Sequence, residues 1–479
     1  MKLTKISLGV AAACGILSAP AHALLASSYT NTGEFTGDTM NIRVSGATAQ
    51  DPGLLASALR YCTAGSMTRY SVSNNFVYFC TANTARITPR AGATKVAFYK
   101  YSVGGSGSGV GPVNAATPLP FLDLAKIATS CAAGASSTVD VDGTGPLSSF
   151  QDIACGAATT AVTTPVVSYI GVSDVEPQFF GGPSTYNNLR AEGLATVIFG
   201  VPVTRNIYEA LQAQQGLTVG AIDEANMPSL TQGQITSMYT QEGQTWSGLT
   251  GATVGDDMVY VARRADSSGT QKSFEAVIGR TTNGTPGARQ CQSAVEGFVT
   301  GPAALDNTAA NSLCNGSNLV VNGSGSGQVL ACLNAHQAAG RGAIGVVSTE
   351  FKQTAGGSLR FVKINGAAPT HANVASGRYT QYTDASLNTR VGATLPTASA
   401  AGYTAFLNVL KSDFADPAVI AVINGGNQTF GPSGLMALDA LEASIPAPDF
   451  TGTSGRNPWS RLVGGTDLNN CQPGKLAAF

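Results

Sequence analysis

The chain has 479 residues, of which 11% are charged and 43% hydrophobic, and its formal net charge at pH 7 is -1. A chain of this length can form two or more domains with a sizeable core. The near-neutral charge argues against a surface that binds nucleic acid or an anionic membrane, because such surfaces need an excess of basic residues. Any anion that the protein binds must therefore be held at a local site.

The first 23 residues have the pattern of a secretory signal peptide. Lys2 and Lys5 form a basic start, an apolar run covers residues 6–17, and Ala21-His22-Ala23 has the small residues of a cleavage site. A lipoprotein processed at Cys14 is the alternative, but the small residues before this cysteine do not favour it. No later run approaches the roughly 18 apolar residues of a membrane helix. We therefore expect an exported protein, periplasmic or secreted, without a membrane span after cleavage.

Eight of the nine cysteines follow this segment, and an even number in an exported chain predicts up to four disulfide bonds. The eight are Cys62, Cys80, Cys131, Cys155, Cys291, Cys314, Cys332 and Cys471. Cys-x-x-Cys spacings are absent and only His336 and His371 remain, so the sequence indicates no zinc cluster. We expect structural cysteines, and we expect His336 to lie on a helix surface.

Short apolar segments alternate with helix-like segments along the chain, which is typical of an α/β architecture with a largely parallel sheet. In chain order the pattern predicts a strand over 40–45, a turn and helix from residue 46, strands over 95–101, 166–172, 195–203 and 258–261, helices over 271–278 and 328–339, and a strand over 342–349. The segment 111–165 is rich in Ala, Thr, Ser and Gly. We predict that it leaves the sheet as an excursion closed by its own disulfide.

The segment Arg263-Arg264-Ala265-Asp266-Ser267-Ser268-Gly269-Thr270 combines two features that suit a tetrahedral oxyanion. The strand before it brings two guanidinium groups, each a planar fork of donors that matches two oxygens of a phosphate or carboxylate. The Ser-Gly-Thr step then opens the predicted helix, whose free N–H groups and positive dipole end add further donors. A helix cap with surface arginines is the simpler interpretation, and the segment alone leaves both open.

Ser173-Asp174 follows directly on the predicted strand over 166–172. An aspartate at this position commonly caps a helix or a turn. Beside an anion it would act as a sensor, because a carboxylate repels a fully deprotonated oxyanion such as sulfate but accepts a hydrogen bond from hydrogen phosphate. Leaving a buried acceptor unpaired costs on the order of 1 to 3 kcal/mol, so this group would discriminate about tenfold or more.

Five short motifs, in this order, resemble the phosphate-binding protein of bacterial phosphate ABC transporters. The motifs are Ser45-Gly46-Ala47-Thr48, Val103-Gly104-Gly105-Ser106-Gly107, Gly171-Val172-Ser173-Asp174, Arg264 to Thr270, and Gly342-Ala343-Ile344-Gly345-Val346-Val347. The resemblance covers nearly the whole chain after the signal segment. It implies a type II periplasmic-binding-protein fold, in which two α/β lobes close over a ligand cleft. The first lobe would comprise residues 24–206 and 377–479, and the second residues 207–376, with crossings near Asn206 and Ser376.

The resemblance also implies which residues hold the ligand. From the first lobe, phosphate would be contacted by Thr48, the backbone at Ala49, Ser106 and Asp174; from the second, by Arg264, Ser268, Gly269 and Thr270. Asp266 would hold the arginine. No metal, cofactor or catalytic residue is implied. The chain departs from the family in having Ala49 where an aromatic is common, and in its long stretch between Ser106 and Asp174.

With these lobes, each half of the molecule holds an odd number of cysteines. We predict that Cys62 pairs with Cys80 and Cys131 with Cys155, whereas Cys471 pairs with a partner in the second lobe. Spacing alone does not prove these pairs.

We therefore expect an exported monomer that captures inorganic phosphate, as hydrogen phosphate, between two lobes without covalent chemistry. An ABC transporter permease is the implied partner, and we expect no contact with nucleic acid. A phosphate-ester hydrolase on the same scaffold remains open, although the chain offers neither a metal cluster nor an obvious nucleophile with its base. A secreted surface or adhesive protein that has kept the scaffold remains open as well.

Overall fold

The computed structural model describes residues 23–131, 135–140, 149–181, 185–278, 298–304, 312–392, 397–441, 447–464, 467–470 and 474–477. Residues 1–22 of the predicted signal segment lie outside this set. Within the described ranges, no helix combines the length and the apolar composition that a membrane crossing requires.

Eleven α-helices have their full extent within the described residues. They are α1 Asp51–Tyr61, α2 Gly111–Ala115, α3 Leu124–Ser130, α4 Arg205–Gln214, α5 Gln232–Thr240, α6 Trp246–Thr250, α7 Gly269–Val277, α8 Ser326–Ala338, α9 His371–Ala375, α10 Thr397–Ala415 and α11 Pro417–Ile423. Short 3-10 turns at Thr48–Gln50 and Gly105–Gly109 connect strand ends to helices near the site described below.

The strands are shorter and more numerous than the helices. They are β1 Thr39–Gly46, β2 Thr68–Val72, β3 Asn75–Thr81, β4 Lys95–Tyr101, β5 Pro118–Leu122, β6 Ala135–Asp140, β7 Ser149–Ala154, β8 Thr163–Val167, β9 Ile170–Ser173, β10 Leu189–Thr204, β11 Ser229–Leu230, β12 Tyr260–Arg264, β13 Ala303–Ala304, β14 Val320–Gly323, β15 Ala343–Gly345, β16 Val347–Ser348, β17 Leu359–Ile364, β18 Tyr382–Arg390, β19 Leu435–Leu438, β20 Arg456–Asn457, β21 Trp459–Ser460, β22 Leu462–Gly464, β23 Asp467–Leu468 and β24 Lys475–Leu476.

The first large sheet has the order β6-β7-β2-β3-β4-β1-β9-β18-β10. Its centre is parallel, because β1 pairs in the same direction with β4 and with β9. Its flanks are antiparallel at β2–β3, β3–β4, β9–β18 and β18–β10. All eight residues of β1 are buried, as expected for a central strand covered on both faces. The predicted α/β class is confirmed, but the sheet is mixed rather than largely parallel.

The 16-residue strand β10 belongs to two sheets at once. Its first part pairs with β18, and its last part, Val201 to Thr204, pairs with β17. In this second sheet β13, β14, β12 and β15 are parallel neighbours, and Val203 of β10 pairs antiparallel with Ile344 of β15. One continuous strand therefore links the two sheets.

Two main hydrophobic cores lie on either side of this link. The first core packs α1, α10 and α11 against the first sheet, with Ile42, Leu54 and Phe406 fully buried. The second core surrounds the end of β10 and includes Trp246, Phe274 and Phe361. The mixed α/β chain therefore builds two separate apolar centres joined by β10.

Three disulfide bonds are found among the described cysteines. Cys62–Cys80 and Cys131–Cys155 confirm the predicted pairs, and Cys314 pairs with Cys332. Cys291 and Cys471 lie outside the described residues, so the pairing of Cys471 stays a prediction. Within the predicted excursion over 111–165, Cys131–Cys155 forms the expected disulfide and β5 pairs with β8 in a separate sheet, whereas β7 pairs in parallel with β2 and extends the first sheet.

His336 is also placed differently from its predicted position. It lies near the end of α8, but its side chain is buried and its ring packs 4.6 Å from that of Tyr260. The sequence pattern missed this because α8 is covered on most of its surface, so its polar positions do not mark one solvent face.

Candidate functional site

Two strands and a turn meet at three glycines where no side chain would fit. A Cβ atom on Gly46 or on Gly109 would overlap the carbonyl oxygen of Val172, and one on Gly171 would overlap the carbonyl oxygen of Gly109. The glycines therefore allow the ends of β1 and β9 and the 105–109 turn to approach one another closely. This packing brings Ser106 and Asp174, which are 68 residues apart, into direct contact.

Asp174 contacts both Ser106 in the 105–109 turn and Thr270 at the start of α7. Its backbone N–H donates to the Ser106 hydroxyl at 3.1 Å, and its Oδ2 accepts from the Thr270 hydroxyl at 3.0 Å. Its Oδ1 is buried and has no hydrogen-bond partner among the described residues. Burial raises the pKa of this carboxyl group, whereas the nearby charge of Arg264 and the Thr270 hydroxyl lower it.

Arg264 ends β12 and is 1% exposed. Its Nη1 donates to the Ser326 hydroxyl at 2.9 Å and its Nη2 to the carbonyl of Ser324 at 3.2 Å. Its Nε is buried and without a partner among the described residues. Burial lowers the pKa of Arg264 to about 10, and the charges of Asp174 and Glu350 oppose this decrease. The guanidinium therefore stays charged near neutral pH.

The structure corrects the partner predicted for Asp266. This carboxylate forms an ion pair with Arg263, not with Arg264, and Arg263 also lies 3.3 Å from Glu275. Adjacent residues on a strand point to opposite faces. Arg263 is therefore turned towards α7 and the second core, whereas neutral oxygens of Ser324 and Ser326 hold Arg264.

The beginning of α7 faces Asp174 and the 105–109 turn. Ser268 is its N-cap and accepts from the Gln271 N–H, and Gly269 and Thr270 form the first turn. First-turn N–H groups have no carbonyl partner within the helix and carry the positive end of its dipole. The N–H of Gly107 donates to the carbonyl of Ser267 at 2.8 Å, which closes the two sides against each other.

Thr48 and Ala49 lie in the 3-10 turn that precedes α1. Ala49 is buried, and no hydrogen bond joins the Thr48 side chain to another described residue. The turn itself is held firmly, because the fully buried Lys100 ammonium donates to the carbonyls of Gly46 and Ala47 at 2.8 and 3.2 Å. Asp51, the first residue of α1, lies 3.1 Å from the same ammonium.

Other polar residues at the site were not predicted from the sequence. Gln50 is fully buried beside Asp174, and Ser326 binds Arg264. Glu350 accepts from the Ser348 hydroxyl at 2.6 Å. Burial raises the pKa of Glu350 to about 8, and the charges of Asp174 and Asp51 act in the same direction. Gln50 lies two residues after the Ser-Gly-Ala-Thr motif, which is the only signal for it in the sequence. Ser326 and Glu350 reach the site only through the fold.

A metal centre has little support among the residues described. One group of ligand atoms lies within reach of a single ion, formed by Cys314, Cys332 and His336. Because the two cysteines form a disulfide, they cannot supply thiolates. The chemistry that the candidate site offers is thus hydrogen bonding and charge: one guanidinium, hydroxyls, helix N–H groups and a carboxylate.

Comparisons with known proteins find similarity in overall structure only. A proposed phosphate ABC transporter substrate-binding protein from Clostridium perfringens, solved with bound phosphate, matches with 15% identity and a TM-score of 0.42 over 80% of this chain and 98% of that one. An ABC-type phosphate transport receptor from Vibrio cholerae matches with 15% identity and a TM-score of 0.37, over 80% and 98% of the two chains. PstS from Borrelia burgdorferi matches with 13% identity and a TM-score of 0.31, over 80% and 96%. No family model and no curated protein matches the chain.

Proposed function

We propose that this protein is an exported binding protein that captures inorganic phosphate, as hydrogen phosphate, at the Asp174–Arg264 site. The observation that carries the proposal is the pair of buried, opposite charges with unpartnered atoms, Asp174 Oδ1 and Arg264 Nε, beside the start of α7. Hydrogen phosphate matches both charged groups, because three of its oxygens accept hydrogen bonds and its one hydroxyl donates a hydrogen bond. Arg264 and the α7 N–H groups would bind the acceptors, and Asp174 would bind the hydroxyl.

The ligand would be held from two sides. Ser106, Asp174 and the turn at Thr48 and Ala49 belong to the part of the chain around the first core, and Arg264, Ser268, Gly269 and Thr270 to the part around the second. We propose residues 24–206 with 377–479 and residues 207–376 as two lobes that close over the ligand. The continuous strand β10 and the paired β18 support a hinge at this link.

Uptake or scavenging of phosphate outside the cytoplasm fits this chemistry. The three disulfide bonds support an oxidising compartment, such as the periplasm or the cell exterior. A transporter permease would be the partner for uptake, and a scavenger would need none.

Isothermal titration of the ligand-stripped protein with phosphate, arsenate and sulfate tests the proposal. We expect one binding site for phosphate and arsenate, and binding of sulfate at least about tenfold weaker because it cannot donate to Asp174. Absence of phosphate binding contradicts the proposal. Turnover of a chromogenic phosphate ester that persists through repeated purification would favour a hydrolase instead.

A further inference from the structure

Gln50 lies at the end of the 3-10 turn that leads into α1, and its side chain is fully buried. The turn is fixed against the strand that leads to Asp174, because the Ala47 N–H donates to the carbonyl of Val172 at 2.9 Å. The Gln50 amide lies beside the Asp174 carboxylate and lowers its pKa by donating towards it, at a geometry outside that of an ordinary hydrogen bond.

Both polar atoms of this amide lack a hydrogen-bond partner among the described residues. Gln50 Nε2 and Oε1 are inaccessible, and neither has a hydrogen-bond partner within 3.5 Å. A buried amide without partners is destabilising, and such groups are rare in folded proteins. Asp174 Oδ1 and Arg264 Nε are unpartnered at the same site. Four unpartnered polar atoms on three buried residues indicate that one polar ligand satisfies them together.

Another buried glutamine shows the usual arrangement. Gln212 is also fully buried, but its Nε2 donates to the carbonyls of Ala221 and Asn226, both at 2.8 Å, and its Oε1 accepts from the Gly220 N–H at 2.8 Å. Burial of a glutamine therefore does not by itself leave its amide unpartnered in this fold. Gln381 is also buried with both amide atoms unpartnered, and what sets Gln50 apart is its position beside Asp174.

We infer that Gln50 is a further ligand-contacting residue, whose amide donates an N–H to an oxygen of the bound phosphate from the same side as Asp174. This inference rests on the proposed function. The amide brings a donor without adding a charge. It therefore strengthens phosphate binding next to a carboxylate that would repel the ligand's unprotonated oxygens.

Gln50→Leu tests this role, with Gln212→Leu as the matched control. Leucine has nearly the volume of glutamine but no polar atom, so Gln50→Leu removes an unpartnered amide from the ligand-free protein. We expect its thermal midpoint without phosphate to be unchanged or higher, and its Kd for inorganic phosphate to rise about tenfold or more. Gln212→Leu loses three hydrogen bonds, so its midpoint falls while its Kd stays within about twofold of the wild type.

These outcomes separate the role of Gln50 from phosphate binding by the protein as a whole. Wild-type protein that binds phosphate, together with Gln50→Leu that binds equally tightly, overturns the inference and leaves the proposed function standing. Wild-type protein that binds no phosphate overturns both. If Gln50→Leu does not fold, Gln50→Met provides the same comparison, because it also removes the amide while keeping an unbranched chain.

Discussion

Arg264 and Asp174 carry opposite charges at one buried site, and burial opposes ionisation of both. It lowers the pKa of Arg264 to about 10 and raises that of Asp174, while each charge stabilises the other. The two residues are nevertheless expected to have different roles in anion binding. Arginine attracts any oxyanion, whereas an ionised carboxylate accepts only from a ligand that still carries a proton.

Substitutions should separate the attraction of oxyanions by Arg264 from the discrimination against sulfate by Asp174. We expect Arg264→Ala to weaken phosphate and sulfate alike by about a hundredfold, because a buried charge-assisted contact is lost. Asp174→Asn should bind sulfate more tightly than the wild type does, since the amide donates where the carboxylate repelled. Titrations of both variants with both anions measure this, and unchanged sulfate rejection in Asp174→Asn would argue against the sensor role.

The sensor role of Asp174 also predicts how the anion selectivity of the wild type changes with pH. As the pH falls towards the raised pKa of Asp174, the carboxyl gains a proton and becomes a donor. The ratio of sulfate to phosphate affinity should therefore increase on acidification beyond the change that protonation of phosphate itself causes, and this additional increase should be absent in Asp174→Asn.

At the residue scale, short motifs predicted the positions of Ser106, Asp174, Arg264 and Thr270, which the structure brings together. The motifs did not predict ion-pair partners that depend on the direction in which a side chain points. Asp266 lies within two residues of Arg264 but pairs with Arg263, because the alternation of β12 turns the two arginines to opposite faces. Ser326 could not be assigned, since it meets Arg264 only through the pairing of β12 with β14.

The element that completes the site is the first turn of α7. A Cβ atom added to Gly269 would lie 2.9 Å from Asp174 Cβ and would overlap the Ser106 hydroxyl. Only glycine allows this helix start to approach the opposite side so closely. The contact lies between the two sides, so its loss affects closure rather than either core.

We expect Gly269→Ala to reduce phosphate affinity at least about tenfold, with little change in thermal stability without ligand. Gly233→Ala is a suitable control, because Gly233 also lies in the first turn of a helix, and its added Cβ would lie 4.0 Å from Thr231 Oγ1, an ordinary van der Waals distance. Calorimetric titration and thermal melts of both variants check this. Full affinity in Gly269→Ala would contradict the close approach.

Elements with a strong apolar pattern were predicted well from the sequence, and β4 has the predicted bounds of 95–101. β10 was predicted only over 195–203, because Arg190, Glu192 and Gly193 interrupt its apolar pattern. These residues remain in the strand because β18 pairs with them from Leu189 onward. Tertiary pairing here overrides local propensity.

At the scale of the whole molecule, the C-terminal segment packs against β18, the strand that pairs with β10. Asn470 donates to Glu176 at 2.7 Å and to the carbonyl of Asp384 at 2.8 Å, and Arg461 donates to the carbonyl of Tyr382. Asp384 and Glu176 are both fully buried. Two carboxyl groups thus share this cluster with one guanidinium.

This cluster predicts a pH dependence of stability. Burial raises the pKa of Glu176 from 4.5 to about 7, despite the Asn470 hydrogen bond and the charge of Arg461. Between these values the folded state keeps a proton that the unfolded state has lost, so stability falls as the pH rises, by up to about 3 kcal/mol. Glu350 and Asp384, whose pKa values are also raised, act in the same direction.

Glu176→Gln should reduce this dependence, because glutamine accepts from Asn470 without titrating. Denaturant unfolding between pH 5 and 8 measures the slope. Glu209→Gln, which removes a surface carboxylate 3.9 Å from Arg205, should leave the slope unchanged. Equal slopes in Glu176→Gln and the wild type would exclude Glu176 as its source.

Calorimetric titration of the ligand-stripped, full chain with inorganic phosphate at pH 8 tests whether the Asp174–Arg264 site binds phosphate. We predict saturable binding at one site per chain, weakened about a hundredfold in Arg264→Ala. Absence of binding up to about 1 mM phosphate, or equal binding by the wild type and Arg264→Ala, would contradict it.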